Sequence, residues 1–190
     1  MATAEERPAG QYRLPLRTSA DTEGRNAKIL SNLEDASENL TILRLLANAP
    51  HAFRPIVLLA NALVVRSSLP AADREVAILH LAAKNQVSYE WDEHVPISAA
   101  AGVSDAQRHA LRDPATRDDT LFTGAQVLAL QICDDLLDSH SISDERWAAG
   151  TEAWGTEPLI DLLLAVANWG AFVPVVIRGL GLEDGVTWSG

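Results

Sequence analysis

The stretch EVAILHLAAKNQVSYEWDEHVPISAAAG, residues 75–102, contains the main candidates for a chemical role and predicts a pair of helices. Glu75 opens an apolar run with helical periodicity, and a polar break separates this run from Glu90 and His94. Residues four apart lie on one face of a helix, so the side chains of Glu90 and His94 can meet. Pro96 lacks a backbone N–H, so the pattern predicts a kinked or restarted helix beside His94.

Composition narrows the class of protein. The chain has 190 residues, of which 47% are hydrophobic, enough for a sizeable core in one domain. The formal net charge is -11 and the sequence pI is about 4.8, so the surface would repel nucleic acid and anionic membranes. We therefore predict neither nucleic acid nor membrane as a partner.

The helical pattern extends beyond the opening stretch. No segment alternates apolar and polar residues long enough to indicate a sheet, so we predict an all-α, single-domain helical bundle of about eight helices. Residues 1–20 contain prolines and little periodicity and are predicted to form an N-terminal arm, with the helical domain at 21–190. The first residues show no basic segment leading into an apolar one, so we expect no secretory signal and a cytoplasmic location.

Serine and glycine residues mark the expected helix boundaries. Gly102 is the predicted C-terminal cap of the helix that carries His94. Leucines and isoleucine at helical spacing predict a long helix from about Asp119 to Ser139. The predicted helix starts include Ser37, Ser67, Ser68, Ser88, Ser104 and Ser143.

The segment from Leu159 to Ile177 is long and apolar enough to raise the question of a membrane span. It contains Asp161, Asn168 and Pro174, which are costly in lipid without partners. We therefore interpret it as a buried helix or as a helix at an oligomer interface.

Glu75, Glu90 and His94 are the candidates for proton transfer. Histidine titrates near neutral pH, and a neighbouring carboxylate can fix its tautomer. Glu75 lies far from the connection between the two helices, so it can reach His94 only if the second helix folds back along the first. The alternative interpretation is a structural ion pair in an apolar environment, and periodicity does not decide between the two.

The same residues resemble a known family. Glu75, its apolar helix, the segment from Tyr89 to His94 and the residues around Gly102 resemble the carboxymuconolactone decarboxylase family. The resemblance extends from about Leu14 to Glu183. It implies an all-α fold and assembly into homo-oligomers, commonly trimers or hexamers.

In family members related to alkylhydroperoxidase D, the residues matching Glu75 and His94 belong to a proton relay that serves a CxxC pair. The matching cysteine positions here hold Val87 and Glu90, so the thiol pair is absent. The resemblance therefore points to the cysteine-free branch and implies a carboxy-lyase or related proton-transfer enzyme acting on a small lactone, keto or aromatic acid. It implies catalytic roles for His94, Glu75 and Glu90, and it implies neither a cofactor nor a metal.

The sequence leaves two other functions open. A peroxidase is suggested by the wider family but disfavoured by the missing CxxC pair, and a non-catalytic ligand-binding scaffold would keep the fold alone. If the substrate is an acid, Arg74 and Arg178 are the candidate cations for its carboxylate, although no spacing argument supports either.

The remaining notable residues each have a structural interpretation. Trp91 can line a substrate-binding pocket or fill the core, and His80 is expected to serve packing. The sole cysteine, Cys133, lies in an apolar stripe and is expected to be a small core residue. The acidic run that contains Asp134 and Asp138 is expected to be a solvated face, offset by water or by cationic partners.

Overall fold

The computed structural model describes residues 12–35, 41–113, 117–183 and 185–188, and these residues are helical or irregular, with no strand among them. The predicted all-α class is confirmed. Nine α-helices lie in the described part of the chain, close to the predicted eight. They are α1 (Gly24–Asp35), α2 (Thr41–Leu46), α3 (Pro50–Val65), α4 (Ala71–Asn85), α5 (Ser88–Ala100), α6 (Asp105–Leu111), α7 (Gly124–Ser139), α8 (Asp144–Trp154) and α9 (Thr156–Leu180).

The chain divides into two compact units. The first contains the described residues up to 66 together with 177–183 and 185, and its small core includes Leu30, Ala47 and Phe53. The second contains the described residues of 67–176 and 186–188. The predicted boundary between an arm and a domain at residue 20 stays a prediction, and the predicted cap Ser37 lies outside the described residues.

Helix α4 is the centre of the second unit. Every residue from Asp73 to Ala83 is buried, and α4 packs against α5, α6, α7 and α9. A helix that is covered all round must also enclose its polar side chains, and these then need partners inside the protein. The hydrophobic cluster beside it consists of Val76, Leu79, Ala82, Ala83, Trp91, Val103, Leu111, Phe122 and Leu130.

The start of α4 differs from the prediction in its cap. Pro70 occupies the N-cap position, and no side chain caps the helix. The two predicted cap serines instead donate their hydroxyls to Asp161 Oδ2, at 3.0 Å from Ser67 and 2.9 Å from Ser68, whose backbone N–H also donates to it at 2.7 Å. Asp161, which would be costly in lipid without partners, is thus hydrogen-bonded within the protein.

Helix α5 departs from the prediction at its start. Ser88 is its first helical residue rather than its cap, because Val87 takes the N-cap position. Pro96 lies inside the helix, which continues to Ala100 without restarting, and the alternative of a kink at Pro96 stays a prediction. The helix ends one residue before the predicted cap: Ala101 is the C-cap, and Gly102 follows it with a φ of 92° and an N–H that donates to the carbonyl of Ala99.

The long helix starts later than predicted. Residues Asp119–Leu121 form a separate 3-10 turn, and α7 begins at Gly124. Thr123 and Gln126 form a reciprocal capping box at its start, which satisfies the first N–H groups and sets the boundary there. Ser104 and Ser143 cap α6 and α8 as predicted.

Helix α9 is long and apolar enough to cross a membrane by length and composition, the only such helix in the described part of the chain. Half of its most apolar stretch is buried within the protein. Buried helices of soluble proteins meet the same criteria, so the predicted absence of a membrane partner stays a prediction.

A π-helical turn interrupts α9 at Asn168–Phe172. Pro174 explains it, because proline has no N–H for the carbonyl of Gly170 four residues earlier and its ring crowds that carbonyl. The Gly170 carbonyl instead accepts a hydrogen bond from Asn85 Nδ2 of α4 at 3.1 Å. The turn is therefore tied to the central helix, and it positions the aromatic residue described below.

Candidate active site

Glu75 and His94 meet in the interior of the second unit. His94 Nδ1 lies 2.8 Å from Glu75 Oε2, Glu75 is fully buried, and His94 is 6% exposed. The contact requires α5 to fold back along α4, the arrangement that periodicity left open. Gln86 makes this turn with a φ of 54°, and the N–H groups of Gln86 and Val87 close the end of α4.

Arg74 supplies the positive charge next to Glu75. Its Nε donates to Glu75 Oε1 at 3.1 Å, and the arginine is 7% exposed. The two carboxylate oxygens of Glu75 therefore have different partners, a guanidinium on one side and an imidazole on the other. A buried carboxylate needs such partners because removing an ion from water is costly.

This pattern assigns the hydrogen on the His94 ring. A carboxylate oxygen only accepts, so Nδ1 carries the hydrogen in the contact with Glu75. The opposite ring nitrogen, Nε2, is then the atom that can exchange a proton. Glu75 thus fixes both the tautomer and the orientation of the imidazole, the role a carboxylate plays behind a catalytic histidine.

Glu90 lies on the other side of the same ring. Its Oε2 is 3.7 Å from His94 Nε2, outside direct hydrogen-bond distance but close enough for a charge interaction. The four-residue spacing on α5 produces this proximity, as the sequence predicted. A negative charge at this distance stabilises a positive charge on the ring.

Trp169 completes the surroundings of His94 and was missed by sequence reasoning. Its ring meets the imidazole edge to face, with centroids 5.8 Å apart and an interplanar angle of 85°. Trp169 lies in the π-helical turn of α9, and such turns are common at functional sites. The sequence signal for this turn is Pro174.

Trp91 lies in the hydrophobic cluster, as the core-filling interpretation expected. It is 4% exposed, contacts Trp188 edge to face at 5.5 Å between centroids, and has the Arg112 guanidinium 5.4 Å above its ring. These contacts join α5 to Arg112, the C-cap of α6, and to Trp188 near the end of the described chain. The predicted substrate-binding role of Trp91 stays a prediction.

A second polar cluster surrounds His80. Its Nε2 lies 2.7 Å from Asp134 Oδ1, and its Nδ1 lies 3.2 Å from Arg117 Nη1. Arginine cannot accept a hydrogen bond, so Nδ1 accepts and Nε2 donates to the aspartate. Both ring nitrogens are engaged, which supports the structural role predicted for His80.

The acidic run of α7 has the cationic partners that the sequence required. Lys84 Nζ lies 2.8 Å from Asp134 Oδ1 and contacts Asp138, while Arg146 pairs with Asp135. Burial alone would raise the pKa of Asp134, but the hydrogen bonds from His80 and Lys84 outweigh it and hold that pKa well below its ordinary value.

This lowered pKa makes the contribution of Asp134 to stability dependent on pH. The contribution is present above the ordinary carboxyl pKa of about 3.9 and is lost as the pH falls towards the lower pKa of the folded state. Asp134→Asn should lower the Tm at pH 7 by about 2–4 °C, and the difference from wild type should shrink below about pH 4. Thermal unfolding followed by circular dichroism at pH 7, 5 and 3 tests this.

Asp138→Asn is the matched control, because Asp138 shares Lys84 but its side chain is 69% exposed. Its effect on the Tm should be smaller than that of Asp134→Asn. If the Tm difference between Asp134→Asn and wild type is the same at pH 3 and pH 7, the lowered pKa assigned to Asp134 is contradicted.

Cys133 is a buried core residue, as predicted. It is fully enclosed, and burial raises the pKa of its thiol far above the ordinary value, with the charge of Asp134 adding to the effect. A thiol of this kind is unreactive because the thiolate is the nucleophile. This finding adds to the argument against thiol-dependent peroxidase chemistry.

The sole thiol should therefore react only when the protein unfolds. A chromogenic thiol reagent at pH 8 is expected to leave native Cys133 unlabelled over an hour and to label one thiol per chain in concentrated guanidinium chloride. The denatured sample is the internal control. Native labelling at the rate of a free cysteine would show that Cys133 is accessible.

Among the described residues, no group of three or more histidine, cysteine, aspartate or glutamate side chains is arranged to hold a metal ion.

Neither a protein-family model nor a curated protein matches the chain. The resemblance to the carboxymuconolactone decarboxylase family therefore stays a prediction, carried by the residues around Glu75 and His94.

Proposed function

We propose that this protein is a cofactor-independent enzyme of the carboxy-lyase or proton-transfer type, acting on a small lactone, keto or aromatic acid. The observation that supports the proposal is the 2.8 Å contact between His94 Nδ1 and the fully buried Glu75. It orients an imidazole so that Nε2 is the exchanging atom. In this proposal His94 is the general acid–base group, and Glu75 and Glu90 support it.

A decarboxylation by this site would proceed in two steps. The bond between the substrate's α-carbon and its carboxylate breaks, carbon dioxide leaves, and the electron pair passes into a neighbouring carbonyl to form an enolate. Protonated His94 then donates the hydrogen on Nε2 to that enolate, at oxygen or at carbon. The neutral ring is reprotonated from solvent, and Glu90 stabilises the imidazolium between turnovers.

The low exposure of the site favours this chemistry. His94, Glu75 and Glu90 are all at most 6% exposed, so charges act on one another more strongly than they would in water. A substrate that loses a carboxylate loses charge in the reaction, and an apolar environment assists such a step. The ring of Trp169 adds an apolar boundary beside the imidazole.

The resemblance to the cysteine-free branch of the carboxymuconolactone decarboxylase family supports the same class of reaction. With it come the proposals of a homo-oligomer, trimeric or hexameric, and of a cytoplasmic location. Light scattering coupled to size-exclusion chromatography tests the assembly, since a monomer at micromolar concentration would argue against it.

A substrate screen tests the proposed function. Purified protein is incubated with small lactone, keto and aromatic acids, and carbon dioxide release and deuterium incorporation from heavy water are measured. Turnover of at least one acid is expected, and the turnover should depend on His94. Tight binding of such acids without any product by mass spectrometry would instead indicate a non-catalytic scaffold.

A further inference from the structure

The side chain of Arg74 is deeply buried, and most of its hydrogen-bond donors have no partner on the described chain. It is 7% exposed and lies at the start of α4, directly before Glu75. Within the described part of the chain, its guanidinium donates one hydrogen bond, from Nε to Glu75 Oε1. A guanidinium carries five N–H donors, and four of them are on the terminal nitrogens Nη1 and Nη2.

These terminal nitrogens are not sealed in the core. Among the described residues, no fully enclosed side-chain nitrogen or oxygen lacks a hydrogen-bond partner. Since Nη1 and Nη2 of Arg74 have no such partner on the described chain, they must be reached through the small exposed part of the residue. The end of the guanidinium therefore keeps a small solvent-accessible surface and has unused donors.

We infer that Nη1 and Nη2 of Arg74 bind the carboxylate of the substrate that His94 acts on, an inference that rests on the proposed function. The two terminal nitrogens present parallel N–H groups whose spacing matches the two oxygens of a carboxylate. Glu75 accepts from Nε only, so the N–H groups of Nη1 and Nη2 are left for a second acceptor.

Glu75 also sets the distance between the two functions. Its Oε1 contacts Arg74 and its Oε2 contacts His94, so the guanidinium and the imidazole are separated by one carboxylate group. An acid bound at the terminal nitrogens would have to extend past Glu75 to bring its reacting carbon to Nε2, on the side of the imidazole away from that carboxylate. This arrangement suits an acid whose anchored carboxylate is a different group from the carboxylate that leaves, so that Arg74 holds a charge that the reaction does not remove.

The charges of the site favour a monoanion. Glu75 and Glu90 lie near Arg74 and His94, so a phosphate would bring about two further negative charges towards two carboxylates. A carboxylate brings one. A carboxylate therefore meets less electrostatic repulsion from Glu75 and Glu90 while accepting the same pair of hydrogen bonds. For this reason we assign a carboxylate rather than a phosphate ester as the ligand.

Titration calorimetry with acetate and benzoate, in low salt at pH 7, tests the inference without requiring turnover. Wild-type protein should bind at least one of them, and benzamide, the uncharged analogue of benzoate, should bind at least about tenfold more weakly because it lacks the charge that pairs with Arg74. Arg74→Gln should abolish binding. Arg74→Lys keeps the positive charge next to Glu75 but loses the two parallel N–H donors of the guanidinium, and it should weaken binding about tenfold or more.

Arg178→Gln is the matched control, because Arg178 is the other arginine that the sequence suggested and it is exposed. Its affinity should equal that of wild type. If Arg74→Gln does not fold, Arg74→Lys decides the question. The inference is overturned if neither anion binds to wild type, if Arg74→Lys binds as tightly as wild type, or if benzamide binds as tightly as benzoate.

The two proposals fail separately. If Arg74→Lys loses anion binding while His94→Gln keeps its turnover, the anion site at Arg74 is supported and the proposed chemistry of His94 is refuted. If turnover depends on His94 while anion binding is unchanged in the Arg74 variants, the proposed chemistry is supported and the role of Arg74 is refuted.

Discussion

Glu75→Gln is expected to lower the free energy of unfolding by about 3–5 kcal/mol. Glu75 is fully buried and bridges Arg74 and His94, so glutamine removes the negative charge that faces a guanidinium only 7% exposed. The guanidinium charge then lies in the interior without its partner, which is the costly part of breaking a buried pair. Urea unfolding at pH 7, with the m-value checked for constancy, measures the effect.

Glu90→Gln is the matched control for this prediction. It makes the same chemical change at a residue of similar burial whose distance to the imidazole is 3.7 Å rather than 2.8 Å. The loss of stability should be clearly smaller. Arg74→Met combined with Glu75→Gln should recover about 1 kcal/mol or more of the loss, because both buried charges are then gone. A loss below about 1 kcal/mol for Glu75→Gln alone would show that the pair is not the buried bridge described.

His94→Gln is expected to reduce turnover of an identified acid by about 10²–10⁴-fold. Glutamine retains polarity and approximate size, but it cannot donate or accept a proton near neutral pH. The fold should persist, since the amide can still donate to the Glu75 carboxylate. The measurement is kcat and KM for carbon dioxide release, with most of the loss expected in kcat.

His80→Gln is the matched control for the imidazole. His80 is also buried, but both of its ring nitrogens are engaged by Asp134 and Arg117, so it has no role in the proposed reaction. Its turnover per folded molecule should equal that of wild type even where its Tm is lower. Full turnover by His94→Gln would remove His94 from the mechanism.

Local patterns could be predicted from the sequence because they depend on the geometry of one helix. The four-residue spacing of Glu90 and His94 put them on one face of α5, and Gly102 follows the end of that helix with a positive φ. The caps Ser104 and Ser143 follow from the same local chemistry. Where the prediction failed, as at Ser67 and Ser68, a distant carboxylate on α9 had taken the hydroxyls.

The sequence by itself therefore determined the all-α class and most of the helix boundaries, since periodicity and capping act over one or two turns, and it supplied the candidates for an acid–base role. Only the tertiary structure decided that Glu75 meets His94, that Arg74 balances Glu75, and that a π-helical turn brings Trp169 to the imidazole. These contacts join residues on different helices or different sides of one carboxylate. They depend on how buried helices pack around α4, and helical periodicity carries no information about that packing.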